Sequence, residues 1–346
     1  DARGEPPLAA RRRDEGREGR TGARNHSAPL ATLHGKGQDF AFLAPFQERL
    51  PATIPAFVLA AGVGSRLRPL TDDLPKPLVP VGDQSALATI VAQLRRAGFL
   101  AIVANGWHAK AHLQEAAVTL GIRVSDEETL RGTAGGLVGA ASALGPGDVL
   151  VWNGDILAGV DPSAVVAAHG AGHAGTLVVR PLAGPPFIGA GNVGLDGAGR
   201  VVRLRQEVFG EEVQSAEFLG IHVVGRALRE ALPAVGCLVT DGYLPALRRG
   251  ATVGSYVYDA PFFDVGTPES YLAANRAWLA ARQQISWLGE GAVVTGCAEG
   301  AVVGAAAFVD GNVHNAVIWP NTRVVGDVVD AIATPAGIIR LGTATA

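Results

Sequence analysis

Hydrophobic and polar positions fall into distinct regimes along the 346-residue chain. From Pro55 onward, short apolar runs alternate with stretches of helical period. Ala56, Phe57, Val58, Leu59 and Ala60 form a continuous apolar run that ends in a glycine-bearing turn, the pattern of a strand buried on both faces. Residues 86–97 have the period of an amphipathic helix, 101–104 read as a second strand, 108–120 as a second helix and 122–125 as a third strand. A glycine-rich turn then precedes a helix over 137–144. Residues 148–152 form a fourth strand running into Asn153, Gly154 and Asp155. This alternation predicts an α/β fold built on a doubly wound, mixed, mainly parallel sheet of Rossmann-like kind. After residue 175 strands dominate, at 176–179, 192–195, 201–204 and 217–224, and helices return at 241–249 and 269–282.

Beyond Gly289 helical period is lost. Val303 and Val309 are six apart, as are Ile318 and Val324, among glycine, alanine, asparagine and aspartate. Such spacing suits a small left-handed β-helix with three short faces per coil, with an irregular β tail as the alternative. The opening segment differs again. Residues 1–24 mix seven arginines with five acids and carry almost no large apolar residue, too little to offset the entropy of ordering. The expected organisation is a disordered extension over 1–53, an α/β domain over 54–284 and a β-helical tail over 285–346.

Composition narrows the function classes. Hydrophobic residues make up 48% of the chain, its formal net charge is −3 and its pI is near 6.3. No polycationic surface is implied, so nucleic acid is not the expected partner. No apolar run approaches the length of a membrane span. Cys237 and Cys297 are too few for a disulfide framework, which favours a reduced, cytoplasmic setting. Methionine is absent, so the chain is expected to be a fragment, a processed product or an altered sequence.

The chemistry concentrates between Leu59 and Leu78. Gly62 and Gly64 let the backbone approach a ligand and turn several N–H groups one way, an anion site. Arg66 offers a fork for phosphate and Lys76 a point charge, and Pro75 and Pro77 hold Lys76 extended. A P-loop would need four residues between its glycines followed by Lys-Ser or Lys-Thr. A dinucleotide fingerprint would need a third glycine where Leu67 stands. Asp155 follows Gly154 and Asp264 lies two residues before Gly266, each after an apolar strand, a pairing of carboxylates that suits Mg²⁺ together with phosphates.

The segment from Leu59 to Leu78 resembles the signature of the sugar-1-phosphate nucleotidyltransferases, or nucleotide-sugar pyrophosphorylases. Similar motifs follow in order at 132–137 (Gly-Thr-Ala-Gly-Gly-Leu), 153–155 (Asn-Gly-Asp), 218–221 (Phe-Leu-Gly-Ile) and 264–269 (Asp-Val-Gly-Thr-Pro-Glu). The resemblance implies that Leu59, Ala60, Ala61, Gly62, Gly64, Ser65 and Arg66 bind the nucleotide, with Gly132, Thr133 and Ala134 closing over the base and Asn105 touching it. It implies catalytic roles for Arg66, Lys76 and Asp155, and Mg²⁺ held by Asp155 and Asp264. Gly191, Asn192, Glu207 and Gly220 are candidate sugar contacts. A Glu-Lys-Pro segment common in the family is missing near Glu207, which leaves sugar and base open. The tail leans toward members resembling mannose-1-phosphate guanylyltransferases, acting on GTP and mannose 1-phosphate. Uridylyl or thymidylyl transfer to glucose, N-acetylglucosamine or N-acetylmuramate 1-phosphate is the alternative, and a catalytically silent regulatory subunit is the reading from another class. The tail also suggests self-association into a homo-oligomer through an apolar flank. His108 and His112 are spaced for a metal pair but read better as solvated helix residues. Thr240 and Asp241 read as caps of the next helix.

Overall fold

The computed structural model describes Ala52, residues 54–182 and residues 189–341. Apart from Ala52, the extension expected over 1–53 lies outside the described residues. The central sheet is mixed. Its parallel half runs, from the edge inward, Arg123–Asp126, Ile102–Gly106, Ala56–Leu59 and Val149–Asn153. The long strand Gln214–Val224 pairs antiparallel with Val149–Asn153 and opens the other half, which includes Gly175–Pro181, Val193–Leu195 and Val201–Leu204.

Strand periodicity explains why both faces are covered. Successive side chains of a strand point to opposite faces. Val58, Ile102 and Trp152 enter one apolar cluster, with Leu87, Ile90 and Leu94 of the helix Ala86–Arg96. Phe57, Val103 and Val151 enter a second, with Leu137 of the helix Gly132–Gly139 and Leu244 of the helix Leu244–Arg248. Burying each such side chain stabilises the fold by roughly 1.5–3 kcal/mol. Three expected helix bounds shift. The second helix begins at Lys110, which leaves His108 in the turn before it. The 137–144 helix begins instead at Gly132, runs to Gly139 and is followed by Ala141–Leu144. A π-helical stretch, Leu238–Tyr243, precedes Leu244–Arg248, with Asp241 accepting the Cys237 N–H at 2.7 Å.

Glycine is a poor helix former, so the early start at Gly132 needs a tertiary cause. A Cβ on Gly132 would stand 2.4 Å from the Gly236 carbonyl oxygen, and one on Gly135 would stand 2.4 Å from that of Ala234. The Ala134 N–H donates to Gly236 O at 2.9 Å and the Gly236 N–H to Arg131 O at 2.8 Å. Close backbone packing, open only to glycine, overrides propensity here.

The tail is a parallel coil with three faces. Trp287, Val302, Val317 and Ile332 stack on one face, Val293, Phe308 and Arg323 on the next, and Ala298, Val313 and Val328 on the third. Every one of these register pairs is 15 residues apart, where three six-residue faces would give about 18. The six-residue spacing of Val303 and Val309 therefore links neighbouring faces and is not the coil period. Left-handed backbone recurs at the same interval, at Gly300, Asn315 and Asp330 and at Gly291, Ala306 and Asn321. Val302, Val317 and Ile332 join the first core cluster, and the Trp319 indole donates to the Tyr271 hydroxyl on the helix Pro268–Ala281 at 3.0 Å. Ile332→Ala is expected to cost roughly 2–5 kcal/mol. Because this residue belongs to the shared core, urea unfolding should stay a single transition at a lower midpoint. A separate early transition confined to the coil would show that it folds independently.

Candidate active site

The chain first builds Ala56–Leu59, moves outward to Ile102–Gly106 and Arg123–Asp126, then returns to place Val149–Asn153 on the other side of the first strand. The order reverses between Leu59 and Asn153, which are register partners. Open α/β sheets bind ligands at such a switch point, outside the carboxyl ends of the strands. The loop after Leu59 and the turn at Asn153–Asp155 leave the sheet there side by side, and the Gly154 N–H donates to Leu59 O at 2.9 Å.

Two sets of bonds shape the loop. Gly64 adopts φ 66°, a left-handed conformation that turns the chain into the 3₁₀ turn Ser65–Leu67. The Thr71 hydroxyl donates to Gly64 O at 2.8 Å, and buried Leu67 anchors the turn while Ser65 and Arg66 remain exposed. Beneath the loop lies a buried relay. The Ala60 N–H donates to Asn105 Oδ1 at 2.7 Å, Asn105 Nδ2 donates to Glu127 Oε1 at 2.7 Å, and Glu127 Oε2 accepts the Arg131 N–H at 2.9 Å. Asn105 thus ties the loop to the segment that opens the Gly132 helix. Sequence reasoning missed Glu127, which sits in an acidic Asp126-Glu127-Glu128 run of solvated appearance. The available signal was its place directly after the strand Arg123–Asp126.

A charge cluster closes one end. The Lys76 ammonium, held by the Lys76–Leu78 turn, bonds the Asp155 carboxylate directly and lies 3.7 Å from Asp264 Oδ1. Arg66 Nη2 lies 3.9 Å from Asp264 Oδ2. A ladder explains how two aspartates so distant in sequence meet. Phe262–Asp264 pairs antiparallel with Ile156–Ala158, and the Val265 N–H donates to Asp155 O at 2.9 Å. The Lys76 side chain is only 10% exposed and Arg66 68%, so the lysine is the interior charge and the arginine the outer one.

Between these groups is a cavity of about 290 Å³. Leu59, Ala60, Ala61, Gly62 and Asn105 border it on the loop side, Gly132 and Thr133 on the helix side, and Lys76 and Asp155 at the charged end. Ala134 is fully buried behind Gly132, while Gly64, Ser65 and Arg66 lie beyond the cavity wall. The Thr133 hydroxyl accepts the Leu238 N–H at 2.8 Å. Such a cavity has an apolar slot on one side, backbone N–H groups on the loop and a balanced set of charges at its end. It suits a ring system carrying phosphates.

Of the candidate sugar contacts, Gly220 packs beside Asn153 in the long strand. Asn192 Oδ1 accepts the Phe218 N–H at 2.8 Å. The carbonyl of Gly191 accepts from Arg203 Nη1 at 3.2 Å. Arg203 is buried and anchors the 189–193 segment, with Nη2 also donating to Ala190 O at 2.7 Å. Its guanidinium grips Glu212 in two bonds, at 2.7 and 3.0 Å. Glu207 lies elsewhere, its carboxylate held by Arg248 Nε at 2.8 Å and outside the cavity lining. The two histidines separate. His108 Nε2 bonds Thr71 O at 2.8 Å, while His112 is exposed on the helix.

The Arg203 hydrogen bonds, against the cost of burial, hold the Glu212 carboxyl down from 4.5 to about 2. A carboxyl depressed in the folded state stabilises the fold above its unfolded value, and that contribution is lost as the pH falls toward 2. Glu212→Gln is expected to cost on the order of 3 kcal/mol at pH 7 by stranding Arg203. The gap between variant and parent in chemical denaturation should shrink steadily below pH 4.5. An equal gap at pH 7 and pH 2.5 would disprove the assignment.

Comparison with known proteins places this geometry in context. The family model described as nucleotidyl transferase matches residues 55–281. The mannose-1-phosphate guanylyltransferase of Mycobacterium tuberculosis is 28% identical over 301 residues, covering 83% of this chain and 82% of that protein. The N-acetylmuramate alpha-1-phosphate uridylyltransferase of Caulobacter vibrioides is 30% identical over 237 residues, covering 64% of this chain and 95% of that one. Among solved structures, the UDP-glucose pyrophosphorylase of Acinetobacter baumanii superposes with a TM-score of 0.54 at 20% identity, covering 66% of this chain and 94% of its own, a likeness of fold. Among the described residues, no helix is long and apolar enough to cross a membrane.

Proposed function

Because the chain belongs to the nucleotidyl transferase family, we propose that it joins a nucleoside triphosphate to a sugar 1-phosphate, giving a nucleotide sugar and pyrophosphate. The observation that carries this reading is the Lys76–Asp155 pair at the charged end of the cavity, with Asp264 beside Lys76 and Arg66 beside Asp264 just outside the wall. In the reaction a phosphate oxygen of the sugar 1-phosphate attacks the α-phosphorus in line. The bond from that phosphorus to the oxygen bridging to the β-phosphorus breaks, and pyrophosphate departs with the electron pair. The nucleophile is already an anion, so no strong general base is needed, and positioning and charge neutralisation supply the rate.

Each residue has a physical task. The backbone of Ala60 to Gly62 and the Gly132–Thr133 turn hold base and ribose, and the Asn105–Glu127 relay keeps the two walls in register. Ser65 and Arg66 meet the departing phosphates from the loop's outer face. Lys76 neutralises the phosphates at the reacting centre, where its low exposure strengthens the field. The donor set suits Mg²⁺: two carboxylates share one cationic partner, no third acidic or imidazole ligand stands with them among the described residues, and Mg²⁺ takes its remaining ligands from phosphates and water. Asp155 and Asp264 would hold the ion, which when bound supplies charge neutralisation on the phosphates. Gly191, Asn192 and Gly220 are the proposed sugar contacts, Gly220 lying beside Asn153 of the cavity wall.

For substrate, the proposed pair is GTP and mannose 1-phosphate. The match to the mycobacterial guanylyltransferase supports it, because 301 residues is longer than the 55–281 segment, so the match runs past the α/β domain. The three-faced coil is also proposed to wind left-handed, as the resemblance of the tail implies. The second reading is transfer of a uridylyl or thymidylyl group to glucose, N-acetylglucosamine or N-acetylmuramate 1-phosphate. The 30% identity to the uridylyltransferase and the missing Glu-Lys-Pro segment favour it. A catalytically silent regulatory subunit is the third reading, opposed by the presence of all four charged residues.

Pyrophosphate release, measured for five nucleoside triphosphates against mannose, glucose, N-acetylglucosamine and N-acetylmuramate 1-phosphates, separates these readings. GTP with mannose 1-phosphate should give the highest kcat/KM, and no release with any pair would leave only the silent subunit. Lys76→Ala and Asp155→Asn are each expected to lower kcat by ~10²-fold or more, the scale for losing one preorganised electrostatic group. Near-normal turnover in either would overturn their assigned roles.

A further inference from the structure

A second depression lies away from the nucleotide cavity, with a volume of about 450 Å³. One wall is apolar, from Val138, Ala141 and Leu232, and the other carries Arg226, Arg229 and Glu230, a net positive set. Arg229 is 9% exposed. Its Nη1 donates to Gly147 O at 3.1 Å, and among the described residues the guanidinium makes no other hydrogen bond and no ion pair. The nearby carboxylates pair with groups other than Arg229, Glu230 with Arg226 inside the depression itself. Glu230 accepts from Arg226 Nε at 2.7 Å, and Asp148 accepts the Arg226 N–H at 2.8 Å with its other oxygen 3.8 Å from His169. Burial presses the Arg229 guanidinium below its usual range, opposed in part by the charge of Glu230. An uncompensated buried charge is costly, and a guanidinium fork with free donors matches phosphate.

We propose that this depression binds a small phosphate monoester with an apolar body, and that its occupancy alters affinity in the nucleotide cavity. Two covalent paths join the sites. The helix pair Gly132–Gly139 and Ala141–Leu144 borders the nucleotide cavity at Gly132 and the depression at Ala141. The segment from Leu232 to Leu238 borders the depression at Leu232, then holds Ala134 through Gly236 O and Thr133 through the Leu238 N–H. A ligand that moves one end of these segments moves the wall of the other. The coupling rests on the nucleotide reading above, whereas the binding site does not.

Phenyl phosphate is the probe, titrated calorimetrically into the full chain and into Lys76→Ala, which disables the triphosphate end of the other cavity. One site per chain is expected in both. Arg229→Gln should weaken binding about tenfold or more, the scale of one charge-assisted hydrogen bond. Ser142→Asp adds a like charge at the exposed rim without touching the core, and should weaken it by a similar factor even if Arg229→Gln folds poorly. GTP affinity, measured with and without phenyl phosphate at a concentration that fills the parent site but leaves most of the Ser142→Asp site empty, should change in the parent and much less in Ser142→Asp. No binding, binding insensitive to both substitutions, or GTP binding that ignores a bound probe would each overturn the proposal. Failure of GTP and every other nucleoside triphosphate to bind the probe-free chain would instead strike at the nucleotide reading.

Discussion

An ammonium group nine-tenths covered at the end of a parallel sheet has to be neutralised, and much of the architecture around Lys76 follows from that requirement. Asp155 meets it from the turn after the central strand, and Asp264 from a short strand more than a hundred residues later. The second contact demands the antiparallel ladder between Phe262–Asp264 and Ile156–Ala158. That ladder in turn fixes where the helix Pro268–Ala281 starts, since Thr267 caps it and closes a capping box with Ser270. The coil then packs its Val302, Val317 and Ile332 column into the cluster that this helix shares. A chain of dependence thus runs from one charge to the docking of the C-terminal module.

The opposite wall is governed by backbone proximity. Gly132 and Gly135 lie against the Ala234 and Gly236 carbonyls at distances no side chain would allow. The Asn105–Glu127 relay secures the same segment from the other side, with both carboxylate oxygens committed. Bonds on two sides leave this wall little freedom to shift independently of its neighbours. This is the property a preorganised site needs and also the property that would transmit a push from a distance.

Arg203 plays a comparable part for the 189–193 segment. Its donors reach Ala190, Gly191, Val193 and Arg205 carbonyls as well as Glu212. A single side chain thus donates to several carbonyls of this segment, which carries two of the residues proposed to contact the sugar.

Much was legible from residue order alone. The alternating apolar runs announced the α/β fold because strands buried on two faces and helices buried on one leave different periods. The glycine, arginine and lysine of 62–76 marked an anion site, and the family motifs grouped Asp155 and Asp264 with it. What the order of residues could not supply was anything that depends on distant chain segments meeting. Glu127 reads as a solvated acid until the Asn105 amide and the Arg131 N–H arrive on either side of it. Residues 132–135 read as a loop, since only contact with the Gly236 carbonyl makes a glycine helix worth its entropy. Glu207 reads as a candidate sugar contact, and only the fold shows that Arg248 holds its carboxylate. In the tail, the six-residue spacing was real, but it joins adjacent faces. The 15-residue period emerges only when the coils stack, because it is set by which residues pair across coils and not by which are neighbours along the chain. The sequence by itself therefore determined the element types and the kinds of chemistry present. Tertiary structure alone decided which charges neutralise one another, because burial removes the water that would otherwise serve every one of them equally.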